Sequence, residues 1–241
     1  MKLVIIRHGD PNYEIDSLTE KGWREAELLS RKLTAMEVKN FYMSPLGRAQ
    51  DTASITLKKL SRSAEVLPWL REFNAPVMDE MGKERIPWDW LPADWTTIED
   101  YYDKDRWHTA PVMQSGRVTQ ETLCVNHGLD ELLKRHGYER DGNLYRAVTA
   151  NNDTIVLFCH FGVQCIMLGH LLGISPMVLW QGFCAAPSSV TTLITEERRK
   201  GIAYFRMNSF GDVSHLYAAG EIPAFAARFC ETYDNMQERH D

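Results

Sequence analysis

The chain has too few cysteines, and in the wrong arrangement, for a disulfide framework: five, at 124, 159, 165, 184 and 230, with no Cys-x-x-Cys spacing. That argues against a disulfide-stapled secreted fold or a zinc ribbon and favours a reducing compartment. No apolar run approaches the ~20 residues that cross a bilayer. The first run, Leu3 to Ile6, is too short for the hydrophobic region of a signal peptide. A cytoplasmic location with no membrane partner is therefore expected. Positive charge is scarce as well. Lys and Arg number 27 against 33 Asp and Glu, a balance of −6. This argues against a nucleic-acid partner, because such affinity comes mostly from neutralised phosphates. Repeats and low-complexity segments are missing. What is present is 44% apolar and 10% aromatic residues over 241 positions, enough to bury a core as one α/β domain.

Leu3 to Ile6 stops abruptly at Arg7-His8-Gly9-Asp10-Pro11, as a strand buried on both faces would. Thr19 can cap a helix in which Trp23, Ala26, Leu29, Leu33 and Met36 recur every three or four residues. Val38 to Met43 reads as a second strand. Ser44-Pro45 reads as a helix start, which places Arg48 in the first turn. Ala64 to Leu67 is a third strand candidate, and Thr119 to His136 reads as a helix stopped by Gly137. Thr154 to Cys159 is another buried strand, followed by His160-Phe161-Gly162 and an apolar helix to Leu172. Val190 to Thr195 and Ile202 to Met207 read as a hairpin about a charged turn.

Strands alternating with helices give a three-layer α/β/α sandwich with a mostly parallel central sheet. Ligands in such sheets gather beyond the carboxyl ends of the strands, where Arg7, His8 and His160 fall. Taken singly, Arg48 reads as an exposed helix cation and His160 as a satisfied strand-edge histidine. Taken together, two arginines and two histidines can converge on one point, and helix amino termini beside them make that point an anion site.

The resemblance that these residues carry is to the histidine phosphatase superfamily, the phosphoglycerate mutase-like proteins of branch 1. It runs through Leu3-Val4-Ile5-Ile6-Arg7-His8-Gly9, Ser17-Leu18-Thr19-Glu20-Lys21-Gly22, and Ser44-Pro45-Leu46-Gly47-Arg48-Ala49-Gln50-Asp51-Thr52-Ala53. It continues in Leu70-Arg71-Glu72, Cys159-His160-Phe161-Gly162, and a pattern from Pro187-Ser188-Ser189-Val190 to His215-Leu216. The resemblance implies a metal-independent, cofactor-free phosphatase for a small phosphomonoester. His8 would be phosphorylated, Glu72 would be the acid/base, and Arg7, Arg48 and His160 would hold the phosphoryl group beside Phe161. Mutase activity, or an idle phospho-ligand binding module, are the alternatives. Asp79, Glu80 and Asp51 are substitutes for the acid, and Arg71 is a surface partner for Glu72. Many phosphoglycerate mutase-like members carry asparagine where Glu14 stands. Asn12 is out of register, so a contact from this loop is in question. Asp10 supports the loop, His215 has a structural reading open, and Cys159 is a buried core cysteine.

Residues 74 to 116 break the pattern with four prolines and four tryptophans and read as an inserted lid. Trp88, Trp90, Trp95 and Trp107 are expected mainly in a satellite core. From Asn74 to Trp107, nine acids against four bases give −5, which favours a phosphomonoester with a neutral, aromatic or cationic leaving group. The whole chain, 1–241, is expected to be one domain with a helical tail over about 221–241. There Phe225 and Phe229 would cover the domain's own core or, in a homodimer, a neighbour's.

Overall fold

A strand that is apolar at every position can be satisfied only if both its faces are covered. The computed structural model describes residues 1–226 and 228–240. Its main sheet contains β1 (Lys2–Arg7), β2 (Asn40–Met43), β3 (Glu65–Val66), β4 (Tyr138–Asp141), β5 (Leu144–Ala147), β6 (Thr154–Cys159), β7 (Val190–Arg199) and β8 (Ile202–Asp212). Their order is β3-β2-β6-β1-β7-β8-β5-β4, so the two fully apolar strands lie side by side at the centre. The helices are α1 (Glu20–Thr34), α2 (Gly47–Leu60), α3 (Val118–Arg135), α4 (Phe161–Leu172) and α5 (Pro176–Gly182), with single turns elsewhere.

Side-chain alternation splits the core in two. Val4, Ile6, Val156 and Phe158 pack with Leu29, Leu33 and Ala53 of α1 and α2. Leu3, Ile5, Ile155 and Leu157 pack with Leu129, Leu133, Val163 and Ile166 of α3 and α4. The result is three layers, α/β/α. The sheet is less parallel than expected: β3, β2, β6 and β1 run parallel, while every pairing beyond β1 is antiparallel. The second half is made of the hairpins β4-β5 and β7-β8, which need no crossover helix.

Two local readings are corrected. The helix at Ser44-Pro45 begins later, at Gly47 with Leu46 as its cap residue, because the Ser44 hydroxyl is used elsewhere. The described residues of 221–240 contain no helix. The start of the tail is tied to α1, where Lys21 Nζ donates to Glu221 Oε1 (2.6 Å) and the Ala224 amide donates to Glu25 Oε1 (3.3 Å), and the residues after it make isolated turns. Within 74–116, Trp107 is buried, and Trp88, Trp90 and Trp95 pack partly buried on the main core, with no separate core of their own.

Candidate active site

The register of the two central strands assembles the site. Arg7 pairs with Cys159, so one residue later His8 meets His160, their ring centroids 5.1 Å apart. The His8 amide donates to the Cys159 carbonyl (3.0 Å), and the His8 carbonyl accepts from the Ser188 amide (2.9 Å). His8 Nδ1 lies 2.7 Å from the Gly9 carbonyl. A carbonyl can only accept, so Nδ1 carries the hydrogen and Nε2 keeps its lone pair. Burial above all, then the Arg7 and Arg48 charges, push the His8 pKa down to about 3. The same causes, with His8 added, hold His160 well below its ordinary value.

Arg7 is buried; Nη1 donates to the Ala185 carbonyl (2.5 Å), and its guanidinium lies 5.8 Å over the Phe161 ring. Arg48 sits in the first turn of α2, with Nη1 2.5 Å from Asp16 Oδ1. The Nε atoms of Arg7 and Arg48 and Nδ1 of His160 are buried without a partner among the described residues.

Glu72 stands at the amino end of α4. Its Oε1 accepts from the amides of Phe73 (2.8 Å) and Val163 (3.1 Å). A Cβ on Gly162 would come 2.6 Å from this oxygen, so only glycine lets the carboxylate approach so closely. Desolvation raises the Glu72 pKa, and it outweighs the amide bonds and the Arg7 charge, which lower it. Arg71 turns away to Glu121 (2.5 Å). The substitutes are occupied or remote: Asp79 pairs with Arg85, Asp51 accepts from Ser17, and Glu80 is exposed.

Structure adds residues that sequence did not single out. Ser44 Oγ lies 2.7 Å from His160 Nε2. Thr52 Oγ1 accepts the Gly9 amide (2.9 Å). Asp16, at φ +47°, also accepts from the Gly47 amide (2.7 Å) and so fixes the start of α2. Ser188, at φ +59°, lies 3.3 Å from His215 Nε2. His215 thus contacts the serine whose amide bonds the His8 carbonyl. For Ser44 the signal was Ser-Pro, which pointed to a cap, and Thr52 and Ser188 stood in the motifs quoted above without a role. Asn12 Oδ1 accepts the Glu14 amide (3.1 Å), a local turn, and Glu14 is exposed. Asp10 accepts from the Thr19 hydroxyl (2.7 Å), and Cys159 is buried in the core with its thiol pKa raised. Among the described residues no group of three or more His, Cys, Asp or Glu could hold a metal ion.

The profile of the histidine phosphatase superfamily (branch 1) matches residues 3–128, more than half of the chain. The chain belongs to that superfamily. A 2,3-bisphosphoglycerate-dependent phosphoglycerate mutase from Thermoplasma acidophilum is 40% identical over 62 residues, covering 22% of this chain and 31% of its own length. The chain thus spans about a third of that curated relative. Histidine phosphatase folds are shared more widely. A phosphoserine phosphatase variant from Entamoeba histolytica, solved with phosphoserine, superposes with TM-score 0.61 at 18% identity over 89% of this chain and 98% of its own. A mycobacterial glucosyl-3-phosphoglycerate phosphatase gives 0.61 at 19%, over 87% and 98%. The α-ribazole phosphatase of Shigella flexneri gives 0.55 at 20%, over 87% and 96%. At such identities the likeness shows the fold alone. No described helix is long and apolar enough to cross a membrane.

Proposed function

We propose that the protein is a metal-independent phosphatase that hydrolyses a small phosphomonoester through a phosphohistidine. The observation that carries this reading is the pairing of His8, its Nε2 lone pair free, with three unpartnered buried nitrogens on Arg7, Arg48 and His160. Phosphoryl transfer is mainly positioning and stabilisation of charge on the equatorial oxygens, and two guanidinium groups and a ring donor supply both. Ser44 accepts the Leu46 amide (3.2 Å), so its own hydrogen can go to His160 Nε2, which leaves Nδ1–H aimed at a ligand. Nε2 of His8 attacks phosphorus as a neutral imidazole. The bond to the leaving oxygen breaks as Glu72 gives it a proton, and the resulting carboxylate takes a proton from the water that cleaves the P–N bond. Phe161 supports Arg7 from beneath.

The acid reading for Glu72 favours a working enzyme over an idle binding module. Hydrolysis is favoured over mutase chemistry by the acidic segment after Glu72, which offers no arginine pair to a second anionic group. The test is His8→Ala on an aryl phosphate, expected to lower kcat/KM by ~10³ or more. Rapid quench of the parent should trap an acid-labile, base-stable phosphoenzyme, vanadate should inhibit, and chelator should not. Unchanged turnover in His8→Ala overturns the reading.

A further inference from the structure

Away from the histidine pair, a hollow of about 280 Å³ lies between the inserted segment, α3, the carboxyl-terminal end of α4 and the turn of the β4-β5 hairpin. It shares no lining residue with Arg7, His8, Arg48, Glu72 or His160. Two polar atoms of its wall have no partner among the described residues: Thr122 Oγ1 and, one helical turn on, Asn126 Oδ1. Thr122 is only 3% exposed. A helical threonine ordinarily returns its hydroxyl to the carbonyl one turn back, and unsatisfied buried polar atoms are rare enough to mark a missing partner.

The rest of the wall is rich in donors. Arg140 gives Nε to the Gly142 carbonyl (2.6 Å) and Nη1 to the His170 carbonyl (3.1 Å) and the Tyr145 hydroxyl (3.1 Å). Among the described residues it meets no carboxylate, because the neighbouring Asp130 is held by His170 (2.9 Å) and Tyr145 (2.8 Å). Lys104 lies across the opening, paired with Asp105 (2.6 Å). The Asn126 oxygen needs a donor, the Thr122 hydroxyl takes either role, and Arg140 makes no direct ion pair among the described residues, the Asp130 carboxylate reaching it only through the Tyr145 hydroxyl.

We infer that this hollow binds a small hydroxylated anion, a carboxylate or phosphoryl group next to Arg140 with hydroxyls on Thr122 and Asn126. The inference stands independently of the reaction assigned to His8. Calorimetric titration of the full chain with D-glycerate and 2-hydroxyethylphosphonate tests it and separates the two anionic heads. Glycerol has the hydroxyls alone and acetate the charge alone, and both should bind about tenfold more weakly or not at all. Binding of the better anion should survive Arg48→Ala, which empties the phosphoryl site of a cation. It should fall about tenfold or more in Arg140→Gln and in Asn126→Asp, a near-isosteric change that adds a like charge. Circular dichroism melts establish that each variant is folded. Affinity lost in Arg48→Ala but kept in Asn126→Asp would place the anion at the histidine pair and overturn the inference. So would the lack of any heat up to about 50 mM probe, which would mean a hollow that holds water only.

Discussion

His8 and Glu72 are both driven towards their neutral forms, by the same burial acting on groups of opposite charge. With its pKa near 3, His8 stays a free base across the physiological range, so it contributes no acid limb above about pH 4 to the kcat/KM profile. On the proposed mechanism the basic limb belongs to Glu72, whose proton is lost as pH rises through its raised pKa. Glu72→Gln should therefore remove that limb and slow an alkyl phosphate by roughly 10²–10⁴-fold, yet cost an aryl phosphate far less, since a good leaving group needs little protonation. Equal losses on both substrates would deny Glu72 the acid role. Glu25 makes a different prediction. It is fully buried beneath the loop after His8, accepts from the Asp10 amide (2.9 Å), and has a pKa raised to about 7, chiefly by desolvation. The folded chain holds this proton between the unfolded value near 4.5 and about 7, so the stabilising contribution is present at low pH and is lost as pH rises through 7. Thermal melts from pH 5 to 8 should show that decline in the parent and a flatter profile in Glu25→Gln. Arg7, His8, Arg48 and His160 were legible because strand ends and helix starts are marked in the sequence. Ser44, Asp16 and Ser188 were not, because their roles depend on hydrogen bonds between segments far apart in the chain.

Among the elements, α1 does more than cover the sheet. Thr19 caps it by accepting the Gly22 amide (3.0 Å), and Asp10 accepts the same threonine's hydrogen, so the helix start and the catalytic loop are bonded together. Gly22 and Gly9 meet backbone to backbone: a Cβ on Gly22 would lie 2.2 Å from the Asp10 carbonyl oxygen. Alanine in place of glycine normally favours a helix by ~1 kcal/mol. In Gly22→Ala the sign should reverse, with about 2 kcal/mol lost in urea unfolding and kcat reduced as the loop is displaced. Periodicity located β6 and α4 at their observed ends. It missed β4-β5, although Asp141-Gly142 is a hairpin signal and Gly142 has φ +59°. It also made a helix of Phe225 and Phe229, whose spacing is helical but whose described backbone bonds form isolated turns, the segment being tied to α1 only at Glu221 to Ala224.

At the scale of the whole molecule, charge is unevenly distributed. The segment 74–107 carries −5, part of which Arg239 of the tail offsets at 3.6 Å from Asp89, whereas the proposed phosphoryl site gathers Arg7 and Arg48. Phosphocholine should therefore exceed 3-phosphoglycerate in kcat/KM. The preference should shrink as salt shortens the screening length from ~8 Å near 0.15 M to ~3 Å near 1 M. A preference that ignores salt would assign the discrimination to contacts alone. The three-layer plan was readable from two apolar strands and their following helices. Of the antiparallel half the hairpin β7-β8 was readable too, but β4-β5 was not, because an edge hairpin carries a weaker signal than a buried central strand. The position of β1 also bears on biosynthesis. Its partners are β6 and β7, so during synthesis β1 has none until residue 154 has been made. At 5–20 residues per second that is a wait of roughly 8–30 s. Throughout it, Leu3 to Ile6 is an apolar segment without its strand partners, and the meeting of His8 with His160 cannot form until β6 arrives.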